Sequence, residues 1–228
     1  MKMIAIIPAR GGSKRIPGKN IKDFLGKPII AYVIETAIKS GIFDEVMVST
    51  DSVEIAEVAT KYGAIVPFMR SDKTANDFAT TSEVLSEVVA SYEANGIKLK
   101  NACCIYPTAV LLSEKHLQKA NSNFEEGNYD TLISVLKFSY PPQRGLRENA
   151  GKLEMIWPEN KSKRSQDLES YYHDAGQFYF FNIEKFKEKK ELFTDNTGCL
   201  LLSEYEAQDI DNPDDWTMAE LKFRFLKK

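Results

Sequence analysis

The sequence predicts an α/β protein of three layers, a mostly parallel sheet with helices on both faces. Three observations carry that expectation. Apolar runs alternate with amphipathic segments four times in succession, the signature of strand–helix units. Helix punctuation sits where the pattern needs it, with Pro28 ahead of one helix and Gly41 and Gly63 behind two. No internal repeat, low-complexity tract or linker interrupts the 228 residues, so one domain spanning 1–228 is expected.

"MIAII" (3–7) reads as a short buried strand, since an unbroken apolar run leaves no solvent face. "PIIAYVIETAIKSG" puts Pro28 at the first position of a helix that stops at Gly41. "EVMVST" (45–50) is a second strand, and "SVEIAEVATKYG" a helix ending at Gly63. "AIVPF" is expected as a third strand, interrupted by Pro67. Thr80 and Glu83 have capping-box spacing ahead of "VLSEVVASYEA". "ACCIYP" then reads as a strand, "SEKHLQKANSNFEEG" as a helix from Ser113 to Gly127, and "DTLISVLKF" as a long strand. The alternation lapses after Phe138. Residues 139–176 hold "YPPQRG", the apolar "KLEMIWP" and a long polar run, followed by a strand "QFYFFNI", a short Lys/Glu helix and "GCLLLS". In the closing helix Asn212 caps, Pro213 takes the first position, and Asp214 and Asp215 meet the positive helix end.

Composition excludes several classes. A hydrophobic fraction of 43% supports a real core, and a net charge of −3 argues against a nucleic-acid partner. No apolar run approaches the roughly 20 residues of a membrane span, and the apolar stretch ending at Pro8 is too short for a signal peptide. Cys103, Cys104 and Cys199 lack metal-ligand spacing and lie in apolar stretches. Buried free thiols are expected, which favours a reducing compartment, the cytoplasm. His116 and His173 are too few for a metal cage, and His116 is expected on the surface of its helix.

Right-handed crossovers leave the C-terminal ends of parallel strands as the ligand edge. "PARGGSKRIPGKN" lies at that edge, with five cations from Arg10 through Lys22 and no acid before Asp23. It is neither a P-loop nor a dinucleotide loop: Gly18 falls one residue too far from Gly12, and Asn20 follows Lys19. Glycines that admit backbone N–H groups, with Arg10, Lys14, Arg15 and Lys19, suit a polyphosphate; a solvated basic turn is the alternative. In "QDIDNPDD", Asp209 and Asp211 leave one face of an extended segment, a platform for Mg²⁺ or simply an acidic helix cap. Asp51 stands at the tip of the second strand, either at the ligand edge or as a helix cap. Arg70 follows the third strand, and His173 with Asp174 could form an acid–base pair.

In this order, "IPARGGSKRIPGKN", "VSTDSVEIAEVA" with "YGAIVPFMR", and "DIDNPDDW" resemble the motifs of the cytidylyltransferases that activate nonulosonic and octulosonic sugars, over nearly the whole chain. More narrowly, "CCIYPTA", "RSQDLESYYHDAGQFY" and "QDIDNPDDW" resemble bacterial pseudaminic acid cytidylyltransferases. The sialic acid enzymes carry Q-P-T-S-P-L-R where this chain has Tyr106 to Leu112, and an R-P-N-G-A-I-Y-like run where it has His173 to Tyr179. Both departures fall where the sugar is read.

The resemblance implies a Rossmann-like fold of the nucleotide-diphospho-sugar transferase type, with a small dimerisation extension at about 139–176. It also implies CTP as donor, Mg²⁺ as cofactor and a homodimer. Arg10, Gly11, Gly12, Ser13 and Lys19 would surround the phosphates, with Asn20 near the ribose. Arg70, Ala79 and Thr81 would form the cytosine pocket, and Asp209 and Asp211 would hold the ion. Tyr106, Arg144, His173, Gln177 and Tyr179 match positions around the sugar, part of whose site would come from the neighbouring protomer. The product would be CMP-pseudaminic acid destined for a surface glycan such as glycosylated flagellin. Rival readings are a CMP-sialic, CMP-legionaminic or CMP-octulosonic acid synthetase, a transferase using another base, and a non-catalytic nucleotide sensor.

Overall fold

The computed structural model describes residues 2–227. In chain order the strands are β1 (Lys2–Pro8), β2 (Asp23–Phe24), β3 (Lys27–Pro28), β4 (Glu45–Ser49), β5 (Leu99–Ile105), β6 (Thr131–Lys137), β7 (Leu146–Asn149), β8 (Lys152–Met155), β9 (Tyr172–Asn182) and β10 (Thr197–Leu201). The helices are α1 (Ile29–Ser40), α2 (Val53–Lys61), α3 (Asp72–Ala75), α4 (Thr81–Ala94), α5 (Glu114–Glu126), α6 (Ile183–Lys189) and α7 (Pro213–Leu226).

Six strands form the central sheet in the order β10-β6-β9-β5-β1-β4. All run parallel except β9, which is antiparallel to both neighbours. The unbroken apolar run of β1 serves both faces. Ala5 and Ile7 pack with residues of α1, α2 and α5, while Ile4 and Ile6 pack with those of α4 and α6. The three-layer expectation holds.

Three local expectations change. "AIVPF" forms no strand: Ile65 makes one bridge to Met47, and Pro67 has no N–H with which to continue a ladder. Pro28 belongs to the two-residue β3 and is the residue before α1, not its first. Cys103 and Cys104 are buried, their thiols pushed up by desolvation, but Cys199 is exposed because β10 is the edge strand. His116 is also more than a surface residue. Its Nδ1 accepts from Ser113 N (3.2 Å) in the α5 capping box, and its Nε2 lies 3.2 Å from Glu206.

The antiparallel run of β9 has a functional consequence. It brings the beginning of that strand, not its end, to the ligand edge, with His173 and Asp174 beside Leu136 and Val135. Before β9 the chain leaves the sheet, and β7 and β8 form a separate hairpin. Leu146, Leu153, Ile156 and Trp157 are exposed on and beside this hairpin. No helix among the described residues is long and apolar enough to cross a membrane.

Candidate active site

The basic loop leaves β1 alongside β4, with Ala9 N donating to Ser49 O (2.9 Å). Gly11 N donates to Asp51 Oδ1 (2.9 Å), so Asp51 anchors the loop while Ser52 caps α2. A Cβ on Gly11 would stand 3.1 Å from that of Ser52, which is why glycine is needed for so close a passage. Gly12 and Ser13 lie on the outer turn. Asn20 is buried; its amide donates to Arg10 O (3.0 Å), and its Oδ1 has no partner. A buried acceptor left free in this way is an expensive feature unless a ligand donates to it.

The paired acids reach this loop from the far end of the chain. Asp209 and Asp211 flank Ile210, which is fully buried with Ile16, Phe24, Ile29, Trp216 and Ala219. Burying Ile16 and Phe24 of the loop against Ile210 and α7 brings cations and carboxylates together. Lys19 Nζ donates to Ile210 O (2.8 Å) and lies 4.0 Å from Asp211, and Arg15 donates to Asp211 Oδ1 (2.7 Å). Burial lowers the Lys19 pKa, opposed by the charges of Asp211 and Asp209. Although Asp209 keeps solvent contact, partial desolvation and the Asp211 charge hold its carboxyl above the usual range. Two mutually repelling carboxylates suit a divalent cation. Among the described residues no group of three or more His, Cys, Asp or Glu side chains could hold one. That donor set fits Mg²⁺, which takes few protein carboxylates and draws its remaining oxygens from phosphate and water.

The opposite wall begins at Arg70. Its backbone N donates to Thr50 O (2.8 Å), while the buried guanidinium donates to Ser49 O (2.6 Å) and Ser49 Oγ (3.1 Å). Burial lowers its pKa, with Asp51 and Glu87 opposing. Asn76 Oδ1 accepts from the N–H groups of Phe78 and Ala79 (2.8 and 3.1 Å), shaping the turn into α4. Thr80 and Glu83 form the capping box there, and Thr81 Oγ1 lies 2.9 Å from the Tyr106 hydroxyl. Asp77, in the same turn, pairs with Arg10 (2.5 Å) and Lys14.

Arg10, Lys19, Asn20, Arg70, Ala79, Thr81, Tyr106, Asp209 and Asp211 thus line one cleft of about 340 Å³, with Pro8, Val84, Pro107 and Thr108. Larger hollows lie over the outer face of α2 (about 540 Å³) and beside Glu87 and Lys190 (about 640 Å³). Neither gathers the loop cations or the acid pair.

Four expected sugar residues are not in the cleft wall. Arg144 lies in the extension, where it contacts Ser165 Oγ (3.5 Å). His173 is exposed, packed on Phe138 with ring centroids 4.9 Å apart. Gln177 is buried, its amide donating to Ala175 O (2.7 Å), with Oε1 unpartnered. Tyr179 is buried and donates to Asp174 Oδ2 (2.6 Å). The anticipated His173–Asp174 side-chain pair does not form, because the imidazole bonds to the Asp174 carbonyl and the carboxylate is taken by Tyr179. The sequence reading passed over Asp77, Pro107 and Thr108. Asp77 carries no local signal, being 67 residues from the arginine it meets.

A sequence profile described as Cytidylyltransferase matches residues 4–205. The chain is 41% identical to the pseudaminic acid cytidylyltransferase of Campylobacter jejuni subsp. jejuni serotype O:2, over 98% of this chain and 97% of that one. It is 32% identical to the CMP-N,N'-diacetyllegionaminic acid synthase of Legionella pneumophila subsp. pneumophila, over 96% and 95%. Among solved structures, a CMP:2-keto-3-deoxy-manno-octonic acid synthetase complexed with CTP superposes with a TM-score of 0.71 at 17% identity, covering 100% of this chain and 99% of that one, which establishes the shared fold. A cleft of phosphate-binding cations facing paired carboxylates, on a sheet of this topology and under this profile, places the chain in the cytidylyltransferase family, as a CTP-dependent nucleotidyltransferase.

Proposed function

We propose that this enzyme transfers CMP from CTP to the anomeric hydroxyl of a nonulosonic acid, pseudaminic acid in particular, releasing pyrophosphate. The observation that carries the proposal is the cleft itself, where Arg10, Lys19 and Asn20 face Arg70 and Thr81 across Asp209 and Asp211. The choice of sugar leans on similarity to the Campylobacter jejuni enzyme and on the sequence differences at Tyr106–Leu112 and His173–Tyr179.

In the proposed reaction the sugar hydroxyl oxygen attacks the α-phosphorus in line. The bond to the bridging oxygen breaks, and pyrophosphate leaves with the electron pair. Arg10 and Lys19 stabilise charge gathering on the phosphate oxygens, in a site organised before the substrate arrives. Asn20 Oδ1 accepts from the ribose, and Arg70, Ala79 and Thr81 surround the base. Asp209 and Asp211 hold Mg²⁺, which when bound neutralises part of the triphosphate charge.

The exposed apolar side chains of the hairpin supply the reason to expect a homodimer through residues 139–176, with Arg144 and His173 serving a sugar site completed by the partner. Buried reduced thiols at Cys103 and Cys104 suit a cytoplasmic enzyme whose product feeds a surface glycan such as flagellin.

The test is pyrophosphate release in Mg²⁺ with CTP or UTP against pseudaminic, legionaminic, sialic and octulosonic acids. Turnover is expected with CTP and pseudaminic acid, and its loss on chelation supports the ion. Exclusive use of sialic acid overturns the sugar assignment, and equal use of UTP overturns the base pocket.

A further inference from the structure

We infer that Asp174 is a positioning residue for the acceptor half of the site, acting through Tyr179 on Tyr106. This rests on the proposal that the cleft joins CTP to a sugar acid. Both carboxylate oxygens of Asp174 are engaged: Oδ2 accepts from the Tyr179 hydroxyl (2.6 Å) and Oδ1 from Gly176 N (2.9 Å). The two bonds close a bulge. Between the pairings Val135↔Asp174 and Ile133↔Tyr179, β9 carries three more residues than β6, with Gly176 at φ +60. Opposite the bulge, Ser134 Oγ accepts from Gln177 N and Phe178 N, both at 3.3 Å.

The stitched segment bears on one cleft residue in two ways. Gln177 O accepts from Tyr106 N (2.9 Å), holding its backbone. The Tyr179 ring packs on that of Tyr106 at 5.4 Å, and the Tyr106 hydroxyl meets Thr81 at 2.9 Å. Tyr179 is buried and Asp174 is exposed, so a fixed phenol reaches outward to a charged acceptor. Burial, Tyr106 and Asp174 all raise the Tyr179 pKa, which keeps it a donor.

Sheet order assigns the side. The phosphate loop follows β1 and Arg70 lies beyond β4, whereas Tyr106 follows β5 and the bulge lies one strand further away. What Asp174 positions therefore faces the incoming acceptor, with the nucleotide on the other flank.

The experiment compares steady-state kinetics of Asp174→Ala, Asp174→Asn, Tyr179→Phe and the Asp174→Ala/Tyr179→Phe double variant with wild type, alongside thermal unfolding. Asp174→Ala and Tyr179→Phe should each raise KM for the sugar acid about tenfold, as expected for a lost hydrogen bond to a charged group, and shift KM for CTP less than about twofold. Asp174→Asn, which keeps an acceptor, should recover most of the loss. The double variant should be no worse than either single one, because both remove the same link. Equal changes in both KM values, multiplying effects in the double variant, or wild-type kinetics in Tyr179→Phe would overturn the inference. If Asp174→Ala fails to fold, Tyr179→Phe decides alone. A wild-type enzyme that turns over no sugar acid with CTP removes the functional proposal, and the inference falls with it.

Discussion

Replacing Asp211 by Asn separates the proposed role of the acid pair from any structural one. The substitution keeps the side chain's size and removes its charge. The Asp211 backbone N–H, which donates to Asp215 Oδ2 (2.9 Å) at the head of α7, is untouched. The bond lost is a charge-assisted contact with Arg15 at 2.7 Å, between side chains 41% and 68% exposed. Pairs so open to solvent contribute at most about 1 kcal/mol, so the folded state should survive. The reaction should not. Removing a preorganised electrostatic partner of a transition state typically costs about 10²–10³ in rate, or about 2.7–4 kcal/mol. Pyrophosphate release at saturating CTP, Mg²⁺ and pseudaminic acid measures that loss, and circular-dichroism melting checks the fold. A loss under about tenfold, 1.4 kcal/mol, in a variant with unchanged melting would refute the assignment of this carboxylate to the reaction.

Other consequences follow from packing and charge. Phe24→Ala removes a fully buried ring that contacts Tyr32, Trp216 and Phe223 edge-on, each at 5.6 Å, and should cost about 3–5 kcal/mol in urea unfolding. Activity should fall as well, since the same cluster seats Ile210 between the two acids; a loss below about 1 kcal/mol would show that the cluster relaxes without it. Leu153→Glu on the exposed hairpin should yield a monomer by light scattering with its melting temperature retained, and a persistent dimer would place the interface elsewhere. Asp130 is held below the usual carboxylate range chiefly by its hydrogen bond from Lys189 (3.0 Å). Its folded pKa is depressed, so its stabilisation is present above the unfolded carboxylate range and is lost as pH falls through the folded pKa. Asp130→Asn should therefore be less stable than wild type at neutral pH, with the gap narrowing in acid; a gap constant with pH would exclude the ion pair as its cause.

Much of this protein was legible along the chain because the governing physics is local. Unbroken apolar runs specify strands covered on both faces, Thr80–Glu83 and Asn212–Pro213 specify helix starts, and glycines beside cations specify a loop for phosphate. The alternation in Asp209–Ile210–Asp211 even predicts that two acids share a face, and the buried Ile210 between them is the reason they do. Local rules failed where backbone pairing is decided between distant segments. Pro67 reduced an expected strand to a single bridge, and nothing in "QFYFFNI" announces that its strand begins at Tyr172, runs antiparallel through the middle of the sheet and carries a bulge.

The sequence by itself therefore determined the layers, the caps and the chemistry of the loop, because each depends on residues a few positions apart. Only the tertiary structure decided which charges meet. Asp77 reaches Arg10 across 67 positions and Asp211 reaches Arg15 across 196, through the burial of apolar neighbours that bring their backbones together. It also turned Asp174 away from the adjacent histidine and toward a tyrosine five residues on. Such pairings are set by where the core closes, which no stretch of a few residues encodes.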